Sequence, residues 1–184
     1  DRKITSVVIG TGISSVVTQL LVIREFLSQF NGNEFVIALI LFNWLLIGGA
    51  GTFIAKIAGS KATPGRLAWV SICLAILSPL ELLGIRLLRD VFFVYGSSVG
   101  FYQTFAFSFL TIIPYCLLLG FALPYSLIVA RNLTPDYSGT RMYIIDNIGD
   151  VLGGILFSFI LVVWVSPFQA ICIANLMLVA ASCW

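Results

Sequence analysis

Two aspartates, Asp146 and Asp150, stand four residues apart in the stretch MYIIDNIGDVLGGILFSFILVVWV, residues 142–165. Paired carboxylates can hold a cation, share a proton or draw in water. A spacing of four places them on one face of a helix, one turn apart. Asn147 lies between them, and Gly149, Gly153 and Gly154 are expected to offer a small-residue packing surface to a neighbouring helix. The remainder of the stretch is apolar. Asp146 is therefore expected near the inner boundary of a membrane helix, with Asp150 ~6 Å deeper at 1.5 Å per residue. Both are expected to face the bundle interior, since a mid-membrane aspartate costs roughly 2.5–3.5 kcal/mol on insertion scales. Lys56, which ends an earlier apolar run on the same side, is the expected partner of Asp146. The same residues would also serve as a structural ion pair and packing face.

Other polar positions invite the same question. Arg24, Glu25, Asn33 and Glu34 cluster in REFLSQFNGNEF, around an Asn-Gly-Asn turn. There they would sit at the outer headgroups as a helical hairpin closes. Asn43 falls mid-run beside Trp44, followed by Gly48, Gly49 and Gly51. An asparagine there can bond across a helix interface or touch a ligand, and the glycines allow close approach. Thr11, Ser14, Ser15 and Thr18 form a mild polar stripe expected to face inward, while Pro114, Gly120 and Pro124 mark expected kinks.

The residue inventory narrows the chemistry. There is no histidine, which removes His-ligated haem, the usual zinc sites and histidine acid–base chemistry. Cys73, Cys116, Cys172 and Cys183 are scattered singly and read as small buried hydrophobes. Neither a metal site nor a cofactor is expected. VVIGTGISS begins like a dinucleotide-binding turn, but Ser15 replaces the third glycine and no βαβ unit follows. The triplet Asn132-Leu133-Thr134 falls on the inner side and reads as loop.

The elements that must carry these residues follow from composition. Sixty per cent of the chain is hydrophobic and ten per cent charged, against about 25% charged in soluble domains. Uncharged runs occupy 4–23, 35–55, 67–80, 91–130 and 151–184. A helix needs ~20 apolar residues to cross ~30 Å of hydrocarbon. The two longest runs must break, one at Tyr95–Gly100 and one at Ser166-Pro167. The expectation is an all-α polytopic bundle of about six spans, at 4–23, 35–55, 67–87, 104–130, 143–165 and 167–184. Two inverted three-helix halves are one arrangement the pattern allows, and Asn43 with Gly49 faintly echoes Asn147 with Gly153. Arg2, Lys3, Lys56, Lys61, Arg66, Arg131 and Arg141 fall on one side, against Arg24, Arg86 and Arg89 on the other. That bias puts both ends in the cytoplasm, in a membrane such as the bacterial inner membrane. The N-terminal run exceeds a secretory h-region. A start at Asp1 and an end at Trp184 within an apolar run suggest part of a longer protein. A net charge of +2 gives no reason to expect nucleic acid.

Two segments resemble the membrane-embedded part of spermidine synthase-like proteins. In LLVIREFLSQFNGNEFVIALILFNWLLIGGAGTFIA the matching positions are Arg24, Glu25, Gly32, Asn33, Glu34, Trp44 and Leu45. In GTRMYIIDNIGDVLGGILFSFILV they are Gly139, Tyr143, Asp146, Gly149, Gly153 and Gly154, and LLLGFALPYSLIVAR matches with Pro124 in place. DNIGD is more acidic than that family's helix. The resemblance implies a membrane module that anchors, or passes substrate to, a cytoplasmic aminopropyltransferase-like domain or other membrane subunits. No soluble stretch here exceeds a loop, so this chain alone is not expected to transfer aminopropyl groups. A small cation transporter or half-transporter, and a non-catalytic subunit of a larger membrane complex, are the competing expectations.

Overall fold

The computed structural model describes residues 2–30, 34–59, 62–94 and 99–183. It contains helices α1 (Arg2–Gln29), α2 (Glu34–Ala58), α3 (Pro64–Phe92), α4 (Phe101–Leu133), α5 (Gly139–Trp164) and α6 (Pro167–Ser182), and no strand among the described residues. Helices α1 to α5 are long and apolar enough to cross a membrane. Helix α6 is not. Its 16 residues give only ~24 Å at 1.5 Å per residue, short of the ~30 Å of hydrocarbon. The sixth expected span is thus an apolar helix packed on the bundle, without the length of the others.

Local chemistry sets the helix ends. Thr63 caps α3 by accepting from the Arg66 amide, with Pro64 in the first turn. At α4 the Gln103 side chain reaches back to accept from the Gly100 amide at 3.1 Å. The break expected at Ser166-Pro167 is a capping box: Gln169 Oε1 accepts from the Ser166 amide, and Ser166 Oγ accepts from that of Gln169. Of the break expected at Tyr95–Gly100, residues 95–98 lie outside the described residues, as do Asn33 and Lys61; α3 ends at Phe92 and α4 opens at Phe101. Helix α4 runs on through Pro114 and Pro124, and α3 through Pro79. Within α5 the ladder slips to π geometry over Phe157–Leu161, where the Val162 amide bonds to the Phe157 carbonyl.

Two close helix pairs organise the bundle. Helix α2 lies along α4, and α1 lies along α5. Helix α1 also packs on α6 and α3, and α3 packs on α4 and α6. Glycines set both close pairs. A Cβ on Gly51 would run into the backbone of Leu117 and Phe121, and one on Gly120 into that of Gly48. On the other seam, a Cβ on Gly12 would stand 2.9 Å from the Asp146 carbonyl oxygen; one on Gly149 would be 2.6 Å from that of Ile9, and one on Gly153 2.8 Å from that of Ile13. Not every expected packing glycine takes part. A Cβ on Gly49 or Gly154 would meet nothing within 4 Å, because each points away from its helix's partner. Gly48 contributes its backbone to Gly120 while its own Cβ position is open.

Candidate functional site

A cleft of about 600 Å³ opens between the two close pairs, walled by α1, α2, α4 and α5. Helices α2 and α5 do not form a packing interface with each other, and the cleft lies between them. On α5 the glycine face and the two aspartates fall within about 100° of arc at 3.6 residues per turn. Seating Gly149 and Gly153 on α1 therefore brings Asp146 and Asp150 to the shoulder of the seam, where both line the cleft half-buried. Ser15 of α1 donates to the Asp150 carboxylate at 3.5 Å and to the Gly12 carbonyl at 2.8 Å. Thr11 and Gln19 extend the polar wall on α1, and Trp44 and Tyr143 supply aromatic rings from α2 and α5. Thr52 ties the opposite seam, donating to the carbonyls of Gly48 at 3.2 Å and Gly120 at 3.1 Å. No lysine or arginine is among the described lining residues. The cleft is an acidic, partly aromatic concavity with the chemistry to hold a cation.

Several expected site residues fall elsewhere. Lys56 makes no ion pair with Asp146. Among the described residues the ion pairs are Arg86–Glu25 and Arg89–Asp90. Lys56 is exposed on α2, and α2 packs on α4, across the cleft from α5. Asn147 is exposed and donates to the Tyr143 carbonyl one turn back at 2.7 Å, so it does not join the aspartates. Asn43 is buried away from the cleft. It bonds α2 to α4, donating to Ser108 Oγ at 2.8 Å and to the Phe105 carbonyl at 3.4 Å. The echo between Asn43/Gly49 and Asn147/Gly153 is not a structural equivalence: one asparagine is buried and the other exposed, and one glycine is open and the other packed.

The outer cluster separates as well. Arg24 and Glu25 lie within α1 rather than in a loop. Arg24 and Glu34 are exposed. Glu25 turns inward, 5% exposed, and accepts two bonds of 2.7 Å from Arg86 of α3 and one of 3.1 Å from Gln29. Arg86 also stands over the Phe168 ring, 4.9 Å from its centroid. Arg86 is thus accommodated within α3 by its pairing with Glu25.

Sequence reasoning missed a buried polar seam through α1, α3 and α6. Ser14 donates to Asn175 Oδ1 at 2.7 Å, and Asn175 donates to Ser78 Oγ at 2.7 Å and to the Ala75 carbonyl at 3.0 Å. It also missed Glu81, which is buried on α3. A carboxylate directly after an apolar run was the available signal.

No protein family, curated protein or solved structure matches this chain. The likeness to spermidine synthase-like membrane proteins stands on the quoted segments alone.

Proposed function

We propose that this chain is an integral membrane module that binds a small organic cation, of the diamine or polyamine class, in the cleft between α1·α5 and α2·α4. The carrying observation is that Asp146 and Asp150 line one concavity of about 600 Å³ with no lysine or arginine among its described lining residues. A half-buried carboxylate pair without a basic neighbour recovers its lost hydration best from a cation. Trp44 and Tyr143 offer ring faces that attract ammonium groups. The spermidine synthase-like segments favour the same ligand class, and a partner domain on the cytoplasmic side would receive the cation. The excess of lysine and arginine on the side of the N-terminus supports a cytoplasmic N-terminus in a bacterial inner membrane.

Transport, rather than delivery alone, is favoured by the packing pattern. Exchanging α1–α3 with α4–α6 turns the α2·α4 pair into α5·α1 and the α1·α6 pair into α4·α3. Three helices per half would invert the second half in a bilayer, the plan of many transporters with sites at the repeat interface. The match has one exception, since α3 packs on α1 with no comparable α4·α6 interface.

Titration calorimetry of the detergent-purified chain with putrescine tests the site. Binding is expected, weakened at least ~10-fold, or about 1.4 kcal/mol, by Asp146→Asn with Asp150→Asn. Helicity should be retained. Equal affinity in the folded double variant would remove the cleft as the site.

A further inference from the structure

Glu81 sits well inside α3, 7% exposed. Neither of its carboxylate oxygens has a hydrogen-bond partner among the described residues. It lines a second cavity, of about 230 Å³, between α3 and α4, with Thr111 and Tyr115 as polar neighbours and Leu77, Leu80 and Pro114 among the apolar ones. The titratable groups facing it are Tyr115 and Cys116 of α4. Helix α1 presents Thr18 beside Tyr115, and α6 presents the neutral Asn175, bonded to Ser78 one turn before Glu81. The nearest cations along α3 are engaged: Arg86 by Glu25, and Arg89 by Asp90 at 3.3 Å.

An ionised carboxylate with neither counter-ion nor donor is too costly to bury dry, so the resting group is the neutral acid. Even so, its hydroxyl and carbonyl remain unmatched, and Glu81 adds nothing to stability as it stands. What the site does offer is room and polar company for water, which needs only ~10–15 Å³. The proton can then leave: the Glu81 O–H bond breaks, cavity water takes the proton, and the carboxylate stays behind. That charge would be felt in the cleft. Cys116 lines the cleft and Tyr115, its chain neighbour, lines the Glu81 cavity. Trp44 of the cleft rests on the Tyr115 ring at 5.8 Å. An ionised Glu81 favours a cation in the cleft, and a protonated one favours its release.

We propose that Glu81 is a proton-binding site that exchanges its proton against the cation in the cleft. The inference rests on the cleft's binding a cation, and adds a second, separate site that couples to it.

Two measurements on the full chain in lipid vesicles or detergent test it. Dicyclohexylcarbodiimide, an apolar reagent for protonated carboxyls, should label the peptide containing Glu81, and putrescine should reduce that labelling. Absence of label on Glu81 overturns the proposal whatever the cleft does. In weakly buffered solution, putrescine binding should release protons to a pH dye. Glu81→Gln should bind putrescine with a diminished release, and Glu81→Asp should recover it. Failure of the wild-type chain to bind putrescine would sink the cleft reading instead. Undiminished proton release by a Glu81→Gln chain that binds would sink this one.

Discussion

Gly153 and Gly154 are neighbours on one helix, and the same substitution should move stability in opposite directions at the two. An alanine Cβ at position 153 would stand 2.8 Å from the Ile13 carbonyl oxygen and 2.9 Å from its Cα. Both atoms are backbone, so no side chain can swing aside. Ordinary contact begins near 3.4 Å, and α1 and α5 must part by several tenths of an ångström. Overpacking of this kind costs ~1–3 kcal/mol. Replacing glycine within a helix returns up to ~1 kcal/mol. The net expectation for Gly153→Ala is a loss of about 1 kcal/mol or more. At Gly154 the added methyl meets nothing within 4 Å, so only the propensity gain remains, up to ~1 kcal/mol. The two variants should therefore differ by about 2 kcal/mol, roughly 30-fold in the folded-to-unfolded ratio. Equilibrium unfolding in bicelles, titrated with sodium dodecyl sulfate and followed by near-ultraviolet circular dichroism, would measure it. Two midpoints that move together, in either direction, would refute the claim that contact with α1 decides the sign.

Glu25 and Arg86 should show strong coupling: Arg86→Met strands a buried carboxylate with Gln29 as its remaining partner and should cost about 2–4 kcal/mol, while adding Glu25→Met should recover much of that loss. A double-mutant cycle with coupling below ~0.5 kcal/mol would show that the pair is mere surface decoration. Sidedness should appear in a cysteine-free background, where Gly100→Cys is labelled by an impermeant maleimide from outside and Gly65→Cys is not. Both positions have room for a side chain, and the reverse labelling would invert the topology.

The long helices were legible because nothing but lipid or a protein core tolerates such runs, and breaks at glycine, serine and proline are local chemistry. The aspartate pair was legible for the same reason, since its cost in an apolar run marks it. Partners were not legible. Lys56 shares a side with Asp146 by chain order, but side does not say which helices are neighbours: α2 packs on α4, and the cleft lies between it and α5. Every glycine in an apolar run looks alike until a neighbour is assigned. Gly49 and Gly154 therefore resembled packing residues, while Gly120, which meets the Gly48 backbone, read as a kink. Glu81 followed an uncharged run and read as its end. Only the packing of neighbouring helices on α3, α4 among them, turns it into a buried acid.

The position of the cleft follows from where those glycines fall. Between helices in hydrocarbon there is little hydrophobic drive, so close backbone approach decides which pairs hold. Gly51 and Gly120 draw α2 onto α4; Gly12, Gly149 and Gly153 draw α5 onto α1. The links across the two pairs, α1 with α2 and α4 with α5, are slight by comparison. Large side chains, Trp44 and Met142 among them, stand where the pairs face each other, and they hold the pairs apart. Two tight pairs facing across bulky residues leave a space between them. Asp146 and Asp150, one shoulder away from the α5 glycines, are carried to its wall by the seam that creates it. A substitution that loosens the α1·α5 seam should then act twice, on stability and on the placement of both carboxylates. For that reason Gly153→Ala should weaken putrescine binding as well as folding, whereas Gly154→Ala should leave binding unchanged.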